Sequence, residues 1–224
     1  MKKDEKAKSD FKSSLRPNEN IEKNKKYEDI VIFMGTDNNG DYPLLIVKKN
    51  GNTVSLIFSD LEADNFSKTA SYEQGDVIRI KWKVDTAEVA GDDEKPYLTE
   101  FLLTSKKIKD GKLSQFNKIH QNPFRVQYIE GDFSSDFLKS IDKKVRYYLS
   151  NTKEPLLLLE LKDPNSNLSY SLEEQDRDGT KYLAVGLFTT LEHQQSTLHW
   201  LYINMTTDEL YDYDLPNDKL IKLN

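Results

Sequence analysis

The 224-residue chain contains no cysteine. Disulfides, thiolate catalysis and cysteine-ligated metals are thereby excluded, while the choice between a cytoplasmic and a periplasmic setting stays open. No apolar run approaches the roughly 20 residues that a helix needs to cross a bilayer. The run Pro155 to Leu159 has the length of one buried strand. Glycines number only nine and are dispersed among turns, so no phosphate-binding loop can be assembled from them. The three histidines, His120, His193 and His199, never pair at the helical spacing of a zinc site, and His-Glu-x-x-His and Gly-x-Ser-x-Gly are both missing. These absences argue against an enzyme and against a bound cofactor.

What is present is charge and aromatic surface. Charged residues make up 31% of the chain, hydrophobic residues 37%, and there are 12 Tyr and 10 Phe, enough to build cores in a polar protein. The net charge of −6 is unevenly spread. Residues 1–26 carry nine basic against five acidic side chains, residues 27–118 carry 12 against 16, and residues 119–224 carry 11 against 17. Acidic bodies are poor footprints for phosphate backbones and are steered toward basic partners instead.

In residues 1–26 the apolar side chains are few: Met1, Phe11, Leu15 and Ile21. Taken alone they cannot offset the entropy of ordering, so the stretch reads as a disordered charged tether. It has no apolar core of a signal peptide. Its Lys/Asp/Ser-rich composition resembles the spacer that follows the lipidated cysteine of bacterial cell-envelope lipoproteins. That resemblance implies an envelope or periplasmic location if a signal and lipidation cysteine were removed, with membrane contact only through such an anchor. Without them the chain would stay in the cytoplasm.

Residues 28–36, 42–49 and 53–58 read as strands, the last two joined through Asn50-Gly51, the strongest short-range hairpin signal. Residues 60–70 suit a short helix or an irregular crossing. Gly75-Asp76 then opens an alternating strand with Ile78, Ile80, Trp82 and Val84 on one face and Arg79, Lys81 and Lys83 on the other. A polar loop at 91–95 precedes a last strand at 97–108. This order, with Gly75-Asp76-Val77-Ile78-Arg79-Ile80 at the start of the fourth strand, resembles an OB-fold barrel over residues 27–118.

After a boundary rich in turn formers at 110–123, a strand is expected at 124–129. Ser134 then offers an N-cap to a helix whose apolar positions Phe137, Leu138, Ile141, Val145, Tyr148 and Leu149 recur every three or four residues. Lys143, Lys144 and Arg146 fall mostly on the opposite side. Strands are expected at 155–162, 168–174, 180–190, 197–206 and 209–214. The fold class is therefore mostly β with an α+β second module, 119–224, in which a helix packs on an antiparallel meander. Its architecture is similar to that of cystatin-like folds.

Three candidate sites emerge. In Glu174-Gln175-Asp176-Arg177-Asp178-Gly179 acidic side chains alternate before a glycine as in a calcium loop, although Val185 stands where the closing Glu belongs and Asp178-Gly179 suits a plain turn better. The stripe Arg79, Lys81, Lys83 invites nucleic acid on an OB-like barrel, but no aromatic residue alternates with it to stack a base. The C-terminal hairpin places Trp200, Tyr202 and Asn204 on one face and Leu201, Ile203 and Met205 on the other. Tyr211 and Tyr213 lie nearby, flanked by Asp212 and Asp214. Trp and Tyr give large contact areas at small entropic cost. The aromatic face either packs against residues 27–118, which the hairpin alone slightly favours, or forms a partner-binding surface. With the acidic charge and no catalytic constellation, the preferred reading of the chain is a binding protein for a basic protein partner, of inhibitor or immunity type. The alternative is an OB-like single-stranded nucleic-acid-binding module with an accessory domain.

Overall fold

The computed structural model describes residues 11–59, 67–88, 95–129, 133–191 and 194–223. The chain divides into two compact units, Met1–Lys118 and Ile119–Asn224.

In the first unit, β1 (Lys26–Asp37), β2 (Leu44–Lys49), β3 (Asn52–Phe58), β4 (Val77–Ala87) and β5 (Tyr97–Lys109) close into a barrel of order β1-β2-β3-β5-β4. All pairings are antiparallel except β3 with β5. A closed five-stranded barrel with this one parallel seam has OB-like topology. Alternation builds its interior: Ile78, Ile80, Trp82 and Val84 of β4 are fully buried together with Leu45, Val47, Leu56 and Leu102. The β2–β3 hairpin turns at Asn50 and Gly51, with φ of 50° and 85°, as a two-residue turn of this kind requires. Of the helix expected at 60–70, residues 67–69 form a helical turn and residues 60–66 lie outside the described residues, as does most of the loop at 91–95.

The expected tether needs correction. Residues 1–10 lie outside the described residues, but residues 11–25 run across the barrel and complete its core. Leu15 and Ile21 are each only 1% exposed and pack into the same apolar cluster as Trp82 and Val84, with Phe11 against it. The segment has too few apolar side chains to fold by itself, but the apolar interior of the barrel supplies the partners it lacks. Polar bonds fix its path. Arg16 donates to Asp29 (2.9 Å) and to the Glu28 carbonyl (2.7 Å), the Glu22 amide donates to Tyr27 Oη (2.8 Å), and the Asn24 amide donates to the Val84 carbonyl (2.8 Å).

At the start of β4 the buried Asp76 carboxylate accepts from the Glu73 amide (2.9 Å) and the Gly111 amide (2.7 Å) and faces Lys107 (3.0 Å). Gly111 must be glycine, because a Cβ there would overlap the backbone of Gly75. From Gly111 the chain continues into α1 (Lys112–Ile119), a helix that the turn-rich reading of 110–123 passed over.

The second unit holds a six-stranded sheet of order β11-β10-β9-β8-β7-β6. Its strands are β6 (Arg125–Ile129), β7 (Ser169–Arg177), β8 (Thr180–Leu191), β9 (Gln194–Asn204), β10 (Leu210–Asp214) and β11 (Lys219–Lys222). Only β6 with β7 is parallel. The helix α2 (Ser135–Asn151) is capped by Ser134 Oγ, which accepts from the Phe137 amide (3.2 Å), and buries Ile141, Val145, Tyr148 and Leu149. Arg146, expected on its polar side, is instead 7% exposed: it donates to Asp142 and to the carbonyls of His120 (2.6 Å) and Asn122 (2.5 Å), tying down the segment before β6.

The strand expected at 155–162 is a helix, α3 (Pro155–Glu160). Proline is suited to a first helical turn, and a short apolar run has no periodicity that separates strand from helix. Only Leu157 of this run is buried, while Leu156 and Leu159 are more than half exposed.

Candidate functional site

Register within the second sheet sorts the C-terminal residues onto two faces. Tyr202 of β9 lies opposite Tyr211 of β10 and Ala184 of β8, and Trp200 lies opposite Gly186. This face is aromatic. Tyr182 meets Tyr202 and Tyr211 edge-on at 6.0 and 5.9 Å, and Tyr213 lies 5.4 Å from Tyr202. The Arg177 guanidinium sits over both Tyr202 (5.3 Å) and Tyr213 (5.0 Å) and pairs with Asp218. The rings therefore pack chiefly on one another: Tyr202 is buried and donates to Gln175 Oε1 (2.8 Å), whereas Trp200, Tyr211 and Tyr213 are half-buried. Gly186 gives Trp200 its space, since a Cβ there would stand 2.9 Å from the indole.

Asp212 and Asp214 do not flank those rings on the same face. Strand alternation turns both to the side that carries Leu201 and Ile203. Asp212 pairs with His199, whose ring stacks on Tyr148 of α2 at 5.3 Å and 8° between planes. Burial, reinforced by the carboxylates of Asp212 and Glu154, holds the Tyr148 phenol well above its ordinary range. Met205, expected on the aliphatic packing face, lies past the end of β9 and is 43% exposed.

These elements enclose a cleft of about 640 Å³. Glu154 at the start of α3, His199 and Trp200 of β9, and Asp212, Tyr213 and Asp214 of β10 line it, with Leu215, Pro216 and Ile221 forming an apolar wall. Four of the six residues singled out in the hairpin thus border one cavity, and Tyr202 and Tyr211 do not. Glu154, Leu215 and Ile221 had no mark in the sequence, and His199 had one only as a metal or catalytic candidate that no motif supported. His199 could have been found by parity, because residue 199 shares the face of Leu201 and Ile203. Glu154 could not, since the helix it begins was read as a strand. Three carboxylates, one imidazole and an apolar wall are complementary to a cationic group carried on an aliphatic stem.

The calcium-loop candidate has another structure. Glu174 and Asp176 belong to β7, paired with Leu183 and Lys181, and Asp178 and Gly179 form the hairpin turn with φ of 54° and 77°. Asp176 spends an oxygen on the Gly179 amide (2.9 Å), and among the described residues no three acidic or histidine side chains gather to hold a metal.

On the barrel, Arg79 and Lys81 are exposed on the outer face of β4, between Ile30 of β1 and Lys106 of β5. Glu28 lies 3.5 Å from Arg79 and 4.0 Å from Lys81, and Lys83 pairs with Asp85. The rings of Tyr27, Phe33 and Trp82 point inward.

No family model and no curated protein matches the chain. Among solved structures it is similar to the mitochondrial single-stranded DNA binding protein Rim1 of S. cerevisiae in two crystal forms. These show 15% and 14% identity, cover 38% and 39% of this chain and 95% and 96% of that one, and have TM-scores of 0.28 and 0.27. Aspartyl tRNA synthetase from Entamoeba histolytica matches at 6% identity and a TM-score of 0.29, over 77% of this chain and 49% of that protein. At such scores these likenesses add nothing to the description of the barrel, which rests on its strand order.

Proposed function

We propose that the chain is a non-enzymatic binding protein whose second unit captures a basic segment of another protein in the cleft between β9, β10 and α3. The observation that carries this reading is the lining itself: Glu154, Asp212 and Asp214 beside Leu215, Pro216 and Ile221. A lysine or arginine side chain matches both parts, its stem against the apolar wall and its charge among the carboxylates. The acidic balance of residues 119–224 would raise the encounter rate with such a partner. An inhibitor or immunity role against a basic enzyme is the biological form we favour. The Lys/Asp/Ser-rich N-terminal composition supports a place in the bacterial cell envelope, which fractionation of producing cells would test.

Calorimetric titration with a short peptide alternating lysine and leucine tests the reading. Glu154 caps no amide with its side chain, and Asp214 is half-exposed and its side chain accepts only from Asn217 (2.8 Å) among the described residues. Glu154→Lys and Asp214→Lys should therefore leave the fold intact, as an unchanged circular dichroism spectrum would verify. Each should weaken binding about tenfold, near 1.4 kcal/mol, and added salt should weaken it further. Equal affinity in wild type and the double variant would refute the cleft as the site.

A second reading rests on the cationic outer face of the barrel. Arg79, Lys81 and Lys106 lie side by side across β4 and β5, and Lys106 has no ion pair among the described residues. This arrangement supports weak, salt-sensitive binding of single-stranded nucleic acid, the ligand named for the yeast protein. It ranks second because Glu28 faces two of the cations and the exposed neighbours Ile30, Ile32 and Ile108 are aliphatic rather than aromatic. A gel shift lost in Lys81→Glu would promote it.

A further inference from the structure

A second cavity, of about 490 Å³, opens at the other edge of the six-stranded sheet, where β6 and β7 meet the end of β8. Its chemistry is the reverse of the acidic cleft. Among the described residues Arg125 is the one charged residue in the lining, and the remainder is Gln127, Asn167, Thr190, two serines and Leu168. Among the described residues no carboxylate lines the cavity, although residues 119–224 hold 17 acidic side chains and Glu160 lies behind Ser166.

The hydrogen-bond inventory is lopsided. Two acceptors of the lining are already engaged: Ser166 Oγ accepts from the Leu168 amide (3.2 Å) and Gln127 Oε1 accepts from Gln195 (3.3 Å). The two serine hydroxyls have also placed their protons, Ser166 on Glu160 (2.7 Å) and Ser169 on the Asn167 carbonyl (2.9 Å). The remaining donors are unspent. The Arg125 guanidinium, with five N–H groups, and the Asn167 side-chain amide have no partner among the described residues, and the Gln127 amide nitrogen has none either. Thr190 Oγ1 is the one buried side-chain polar atom without a partner among the described residues, and Thr190 lines this same cavity. An orphaned buried hydroxyl carries a desolvation cost that a ligand acceptor or a water would remove.

From this placement we infer that the β6–β7–β8 cavity is a binding site for a small organic oxyanion, with a carboxylate or phosphoryl group on Arg125 and its remaining oxygens on Asn167, Gln127 and Thr190. Arg125 supplies the fork that matches two oxygens at once. The neutral amides and hydroxyls supply donors without adding positive charge that would draw in the protein's own acidic residues. The site is separate from the peptide cleft, and neither depends on the other.

The test is a titration of the isotope-labelled full chain, followed through its backbone amides, with inorganic phosphate, citrate, glucose 6-phosphate and, as the neutral control, glucose. The expected result is saturable shifts at Arg125, Gln127, Asn167 and Thr190 with one or more anions and none with glucose. The phosphate and citrate arms separate a phosphoryl from a carboxylate ligand. Arg125 is exposed, so Arg125→Ala should fold as wild type, verified by an otherwise unchanged spectrum, and should weaken the response at least tenfold. Arg125→Lys should retain part of it, since lysine keeps the charge and loses the fork. No saturable response up to about 20 mM, a weak limit on the affinity scale, would overturn the site. So would an equal response in Arg125→Ala, or an equal response to glucose.

Discussion

Asp29 joins three donors on one carboxylate. Its oxygens accept from Arg16 (2.9 Å), Lys49 (2.5 Å) and the Trp82 indole (2.7 Å), so a residue that reads as one more polar position in β1 fastens the N-terminal segment to the barrel. Burial works to raise its pKa, but the bonds from Lys49, Arg16 and Trp82 outweigh it and hold the carboxyl below its usual range. A depressed acid contributes stability that is present above the unfolded carboxylate value, near pH 4, and is lost as pH falls through the folded value. Asp29→Asn should therefore cost about 2–4 kcal/mol at neutral pH, with the deficit shrinking under acid, as read from denaturant midpoints across pH. Glu100 has the opposite sign. Burial pushes its pKa up, against the bond from Ser13, so its contribution is full below the unfolded value and fades as pH rises through the folded one. Glu100→Gln should raise the neutral-pH melting temperature and leave the acid value unchanged. A fall at neutral pH would show that the carboxylate is held by stronger bonds than Ser13 provides.

Among elements, those with a period in their sequence were legible and those without one were not. Strand β4 and helix α2 could be read because alternation and three-to-four spacing are direct images of burial: Ile78, Ile80, Trp82 and Val84 face in, as do Ile141, Val145, Tyr148 and Leu149. Helix α3 could not be read, since Leu156 to Leu159 are apolar at every position and only the fold decides which one is buried. The segment 11–25 was misread for a related reason. Composition measures whether a stretch can bury its own surface, and Leu15 and Ile21 bury theirs in a barrel formed by residues further along the chain. Leu15→Ala and Ile21→Ala should each destabilise the barrel by about 3 kcal/mol, and the bonded amides of Leu15, Glu22 and Asn24 should exchange slowly with deuterium. Fast exchange throughout that segment would return it to the status of a tether. The candidate cleft lies between these cases. Its hairpin was visible through Trp200, Tyr213, Asp212 and Asp214, but the division of aromatic and acidic side chains onto opposite faces follows from the β9–β10 register, which a sequence does not print.

For the whole molecule the informative quantity is where charge and apolar surface coincide. Residues 119–224 are the more acidic part, and three of their carboxylates meet an aliphatic wall in the β9–β10–α3 cleft. The cations on the outer face of β4 and β5 have aliphatic rather than aromatic exposed neighbours in Ile30, Ile32 and Ile108. Protein capture by the second unit and nucleic-acid binding by the first are therefore alternatives that one experiment separates. An amide spectrum of the full chain is recorded with a lysine–leucine peptide and, independently, with a single-stranded oligonucleotide at low salt. The account predicts that the peptide moves the signals of His199, Asp212, Asp214 and Ile221 in a saturable way, while the oligonucleotide leaves all of them in place. Saturable movement of Arg79, Lys81 and Lys106 with the oligonucleotide, together with no response to the peptide, would contradict it.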